Sequence, residues 1–259
     1  MVRQEEAMTG QPGSTGSSVL LVGGTGRTGR RVLEQLLGRG VSVCAIVRSP
    51  EKLPASATED PRLTVVTADL LSLGADELTA HVADRQAVIS CLGHVISLRG
   101  VFGPPRGLVT EATVRLCAAI DALQPSDPIR VILMSSVSVN DPRGPDTRRG
   151  AGQRAALWAL RGVMPPARDN QQAADFLRTR VGTADPFVQW VVVRPDTLRE
   201  GAVSAYSLHE GLISSLLAPD DTSMANVGHF MCELATDQST WQDWRGKMPV
   251  ITDAANPKH

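Results

Sequence analysis

The sequence predicts an α/β protein built on a doubly wound parallel sheet, and three observations carry that expectation. Short runs rich in Val, Ile and Leu, the pattern of strands buried on both faces, recur along the chain. Segments with apolar residues at helical spacing separate those runs. The first run and the first such segment are joined by a turn in which Gly23, Gly26 and Gly29 are spaced three apart. Alternation of this kind puts helices on both faces of a sheet and a ligand outside the carboxyl ends of its strands.

Val19 to Val22 form the first apolar run, and Val32, Leu33, Leu36 and Leu37 follow at helical spacing. The turn between them suits a pyrophosphate. Gly23 permits a tight turn, Gly26 lets backbone approach phosphate, and Gly29 lets the helix pack closely on the strand. Thr25, Arg27 and Thr28 share that turn, where unpaired amides and the positive end of the helix dipole meet an anion.

The run Gly23-Gly-Thr-Gly-Arg-Thr-Gly29, spaced GxxGxxG rather than GxGxxG, resembles the short-chain dehydrogenase/reductase superfamily, in particular its atypical, NmrA-like or NAD(P)H-binding branch. The resemblance covers nearly the whole chain after residue 17. It implies a Rossmann-like sheet with a small C-terminal substrate-binding region.

Val41 to Val47 read as the second strand, with Arg48 directly after it. An acidic side chain there would bond the ribose 2′-hydroxyl of NAD, whereas an arginine accommodates the 2′-phosphate of NADP. Arg27 lies on the same side, and two guanidiniums around one phosphate favour NADP(H). Leu63 to Thr67 read as the third strand, followed by Asp69 and Leu70. The resemblance makes Asp69 a contact to the adenine edge; the alternative is a helix N-cap.

Gln86 to Gly93 form the fourth strand, and its end resembles the family segment beside the cofactor's ribose, which implies backbone contacts from Cys91, Leu92 and Gly93. His94 follows, placed either to donate a proton near a nicotinamide or to sit in a surface loop. A loop then leads to the helix Leu108 to Leu123 and to the fifth strand, Ile129 to Met134, which ends at Ser135 and Ser136. In the superfamily a serine at this strand end bonds the substrate carbonyl, and the resemblance carries that role to Ser135 or Ser136.

The superfamily's Tyr-x-x-x-Lys proton donor is absent. Tyr206 is the only tyrosine, and no lysine lies between Lys52 and Lys247. Where the atypical branch often keeps a lysine at the start of the next helix, this sequence offers Asn170 or Gln171. Residues 140–168 form a Gly-, Pro- and Arg-rich insertion containing a short amphipathic segment. They read as a lid, with Trp158 and Met164 over an apolar substrate and Arg148, Arg149 or Arg154 on an anion, or else as a docked structural helix.

A helix from about Asn170 to Arg180 precedes the sixth strand, Val188 to Pro195. Its Arg-Pro ending resembles the family turn whose backbone meets the nicotinamide carboxamide, which implies contacts from Pro195 and Thr197. Residues 196–226, with Tyr206 and His209, read as the far wall of the substrate pocket; the proton would come from water or else from His94 or Tyr206. Asn226 is placed to cap a helix from Val227 to Ala235, and Met248 to Thr252 read as a last strand.

Composition narrows the partners. The formal net charge is −1 with no long single-sign block, which gives no electrostatic case for nucleic acid or a membrane surface. Cys44, Cys91, Cys117 and Cys232 are scattered without metal-ligand spacing, so no metal is expected. No apolar run approaches the roughly 18 residues of a membrane span. We therefore expect a cytoplasmic protein with a disordered tail over residues 1–17 and a single domain over 18–259. It would act on a small molecule, with a homodimer as the candidate assembly. The reaction expected is NADPH-dependent reduction of an apolar carbonyl, quinone, flavin-like or conjugated acceptor. The alternatives are a non-catalytic NADP-sensing regulator and an isomerase or dehydratase holding NADP(H).

Overall fold

The computed structural model describes residues 17–93, 107–141, 146, 165–213 and 220–254. The first half of the chain runs β1 (Ser18–Val22), α1 (Arg27–Gly38), β2 (Ser42–Val47), a short α2 (Ala55–Thr58), β3 (Leu63–Thr67), α3 (Ala75–Val82), β4 (Ala87–Ser90) and α4 (Leu108–Leu123). The second half runs β5 (Ile129–Met134), α5 (Pro165–Phe176), β6 (Val188–Pro195), β7 (Thr197–Arg199), β8 (Tyr206–His209), β9 (Asp221–Ser223), α6 (Met224–Thr236), α7 (Gln238–Trp244) and β10 (Val250–Asp253).

Eight strands form one sheet in the order β3-β2-β1-β4-β5-β6-β10-β8, and β7 pairs with β9 in a separate ribbon. Every pairing in the large sheet is parallel except that of β8 with β10. The strand order reverses between β1 and β4, which opens the ligand crevice at their carboxyl ends.

β1 shows how the sequence builds the layers. Val19 and Leu21 pack into the core formed with α1, α6 and α7, whereas Leu20 and Val22 pack into the core formed with α3, α4 and α5. None of the four is more than 1% exposed. Burying each such side chain contributes about 1.5–3 kcal/mol, which is why a central strand has no polar face. β3, at the sheet edge, has no fully buried residue: Leu63 and Val66 are half-buried and the other three exposed.

Several expectations are corrected. α5 begins at Pro165, not Asn170, so residues 165–168 belong to the helix; a proline in the first turn loses no hydrogen bond there. Ser223, not Asn226, caps α6, its hydroxyl accepting from the Ala225 amide at 3.2 Å. Asn226 lies fully buried inside that helix, bonded to Ser204 and Asp253. The stretch read as substrate wall contributes β8 as an antiparallel edge, so the sheet has eight strands rather than six or seven. Residues 1–16, His94, Arg148, Arg149, Arg154, Trp158 and Met164 lie outside the described residues.

Candidate nucleotide and substrate site

The glycine turn forms as the spacing requires. Gly23 has φ +79°, and a Cβ there would lie 2.5 Å from the carbonyl carbon of Cys91. That glycine therefore serves both the turn and the approach of β4. A Cβ on Gly29 would overlap the Gly23 carbonyl, its carbon at 2.9 Å. At Gly26 the nearest obstacle is 3.3 Å away, so the missing side chain there leaves room outside the turn rather than inside it.

Gly26 is the N-cap of α1, and no side chain caps the helix. Its first turn also holds no acidic residue. The amides and positive dipole end are thus uncompensated by the protein itself, the condition for binding an anion. Beside this turn lies a cleft of about 70 Å³ lined by Gly23, Thr25, Arg48, Asp69, Leu70 and Leu92 among others. Thr28 is buried in the first turn, and Arg27 and Arg48 are exposed. Among the described residues neither guanidinium makes an ion pair or side-chain hydrogen bond. A larger cavity of about 220 Å³ lies at the amino end of β6, lined by Gly182, Trp190 and Arg245, remote from the strand ends that meet a ligand in this fold.

Asp69 caps the short turn Leu70–Ser72, its carboxylate accepting from the Leu71 amide at 3.0 Å, while also lining the cleft. Cys91 is 6% exposed, and burial, reinforced by Cys232, pushes its thiol well above the usual range. It is thus a packing residue. Leu92 is half-buried and Gly93 exposed.

The two strand-end serines differ. Ser135 donates its amide to Val193 O at 2.8 Å, and its buried hydroxyl has no hydrogen-bond partner among the described residues. Ser136 is half-buried, and its hydroxyl lies 2.7 Å from that of Ser138. Gly93 and Ser136 each stand three residues past the last paired positions of β4 and β5, Ser90 and Leu133. The serine turn thus adjoins the segment expected beside the cofactor. Pro195 O accepts from the Val137 amide at 3.1 Å, and the Thr197 amide donates to Asp220 O at 3.0 Å. The backbone of this turn is therefore already partly engaged in holding loops together.

Tyr206 is placed elsewhere. Its hydroxyl meets His229 Nδ1 at 3.0 Å, and its ring packs near Phe230 on α6. Burial, then Glu233, raise its pKa, which makes it a poorer proton donor. His229 is shifted down from 6.5 by burial and then Arg39. Its neutral form is favoured in the fold, so the unfolded chain binds the proton first and stability is lost as the pH falls below about 6.5. Thermal denaturation should show this acid-side loss, reduced in His229→Gln; equal pH dependence in both proteins would remove the assignment.

Of the two positions offered for the missing lysine, Asn170 and Gln171, the second is structural, as is the neighbouring Asp169. Asp169, 1% exposed, accepts from the Val109 and Thr110 amides at 2.8 and 2.9 Å and so closes the amino end of α4. Gln171 brackets the Asn140 backbone, accepting from its amide and donating to its carbonyl.

Sequence reasoning also missed an ion pair. Arg194 and Asp146 meet at 2.5 Å with side chains 0% and 1% exposed. Arg194 further donates to Met248 O, Val139 O and Glu210 O. Asp146 accepts from the amides of Asp141 and Leu212. An arginine after the run Val191 to Val193 signalled burial and a need for an acid; nothing in spacing singled out Asp146.

No group of three or more metal-ligating side chains occurs among the described residues, and no described helix is long and apolar enough to cross a membrane. The chain is 30% identical over 210 residues to an uncharacterized chloroplastic protein of Arabidopsis thaliana, covering 79% of this chain and 73% of that protein. Its fold is similar to that of a short-chain dehydrogenase/reductase from Veillonella parvula solved with NADP. That match has TM-score 0.64 and 13% identity, covering 92% of this chain and 95% of that one. An oxidoreductase from Lactococcus lactis gives TM-score 0.64 at 19% identity, covering 92% and 91%. The uncapped glycine turn, the cleft beside it and the sheet order together fit a nicotinamide dinucleotide. A family model for NAD(P)H-binding proteins matches residues 23–238, and the chain belongs to that NAD(P)H-binding family.

Proposed function

We propose that the chain is an NADPH-dependent reductase of a small, largely apolar carbonyl, quinone, flavin-like or conjugated acceptor. The observation that supports it best is the uncapped amino end of α1 next to a cleft lined by Arg48. The first-turn amides hold the pyrophosphate, and Arg27 and Arg48 take the 2′-phosphate. Asp69 and Leu70 flank the adenosine half, while Cys91, Leu92 and Gly93, with Pro195 and Thr197, flank the other half. The bound nicotinamide supplies hydride. The similarity in fold to an oxidoreductase and to an NADP-bound dehydrogenase/reductase supports this direction without setting the acceptor.

Ser136 is the serine that orients the acceptor oxygen. The residue is half-buried rather than enclosed, and Ser138 lies within hydrogen-bond distance to hold its hydroxyl. Ser135 is enclosed. With Gln171 committed to the Asn140 backbone and Tyr206 on His229, water delivers the proton. Acceptors such as quinones or flavins, which need little help from an enzymic acid, suit such a site.

The test is NADPH oxidation by the purified protein against quinones, flavins, aromatic ketones and enones, with NADPH and NADH binding titrated alongside. Turnover with one class is expected. Ser136→Ala should lower it by about a hundredfold to a thousandfold while NADPH still binds, whereas Ser135→Ala should keep it. The reverse ranking would reassign the serine. Tight NADPH binding with no turnover would turn the reading to a regulator or to an isomerase with held cofactor.

A further inference from the structure

A fully buried ion pair is a poor way to stabilise a fold, because two ions leave water and well-packed apolar residues can replace them at little or no loss. What the pair can do is set register between segments that apolar packing alone would let slide. Arg194 and Asp146 are placed for that. Arg194 ends β6, and its guanidinium reaches Val139 O at 3.2 Å, Met248 O at 2.6 Å and Glu210 O at 3.3 Å. Val139 in turn closes the serine turn, its amide donating to Ser136 O at 3.0 Å. Asp146 holds the Asp141 amide at 2.7 Å and the Leu212 amide at 2.9 Å. One pair therefore joins the sheet, the serine turn, the segment leading into β10 and the stretch after β8.

We propose that the Arg194–Asp146 pair is a positioning device for the substrate side of the site, setting the Ser136 turn against the Glu210–Leu212 segment, and that its role is register rather than stability. The catalytic part of this inference rests on the reductase reading above; its structural part does not. Neither residue touches the glycine turn or lines the cleft beside it. The phosphate contacts of the cofactor, which carry most of its binding, are accordingly left alone by the pair's removal.

The experiment compares the unaltered protein with Arg194→Met, Asp146→Leu and the double variant. Each single variant strands a buried charge or empties its partner's site, so both are expected to unfold or melt far lower. The double variant removes both charges and decides the matter. It should melt at or above the temperature of the unaltered protein and bind NADPH within about twofold of it. Amide hydrogen exchange at Asp141 and Leu212, which lose their acceptor, should quicken by about tenfold or more. Acceptor turnover should fall by about a hundredfold, as expected when a positioned group is misplaced by around an ångström. Unchanged exchange at both amides with unchanged turnover would overturn the proposal, as would a double variant that melts as low as the singles. Turnover by the unaltered protein tests the reductase reading and amide exchange tests this one, so the two fail separately.

Discussion

Gly29→Ala is expected to abolish nucleotide binding at working concentrations and to destabilise the fold. The added methyl would overlap the Gly23 carbonyl, whose carbon would lie 2.9 Å away, and Gly24 Cα, 3.1 Å away. Those obstacles are backbone, so they cannot rotate aside as a side chain would. Either α1 lifts from β1 or the turn opens, at a cost of about 1–3 kcal/mol or more. Both movements misdirect the amides that face the phosphates. Losing even two such charge-assisted hydrogen bonds, at about 1.5–3 kcal/mol each, lowers affinity by roughly two to four decades. Gly38→Ala is the control, because the same helix has open space where that methyl would go. It should leave binding unchanged and hold or raise the melting temperature, alanine being favoured over glycine in a helix by about 0.5–1 kcal/mol. Isothermal titration with NADPH and thermal denaturation of the two variants check this; Gly29→Ala binding like Gly38→Ala would show that the turn is not the phosphate site.

Replacing Arg27 and Arg48 together with glutamine is expected to erase a preference for NADPH over NADH. Both arginines are exposed, and among the described residues neither guanidinium has a partner, so their removal leaves nothing buried unpaired. The fold should be unaffected for the same reason. Each arginine on a phosphate contributes about 1.5–3 kcal/mol, so the ratio of the two affinities should shrink by about two to four decades, almost wholly through weaker NADPH binding. NADH affinity should change little. Paired titrations measure the ratio directly; a double variant with the original ratio would falsify the phosphate assignment. Raising the salt concentration should narrow the preference of the unaltered protein, because exposed charges are screened.

The parts of this protein legible in sequence are those decided locally. The bounds of β1, β3, β6 and α4 are legible or nearly so, because short runs of apolar and β-branched residues such as Val19 to Val22 and Leu63 to Thr67 and the helical spacing of apolar residues from Leu108 to Leu123 are local signals. The glycine turn was legible for the same reason: strand, turn and helix are contiguous, and the steric demand at Gly23 and Gly29 arises within a few residues. The start of α5 and the cap of α6 were misplaced where two nearby candidates compete, Pro165 with Asn170 and Ser223 with Asn226.

Tertiary structure alone decided which polar residues meet. Asp169 closes the amino end of α4 across 60 residues, and Asp146 neutralises Arg194 across 48. It also decided which of Ser135 and Ser136 is enclosed and that Tyr206 bonds His229 on the helical layer. The physical reason is the reach of each interaction. Apolar burial and backbone sterics repeat with the period of the local element, so the chain displays them; a buried charge or hydroxyl is satisfied by whichever distant segment the fold carries to it, and that pairing leaves no period in the sequence.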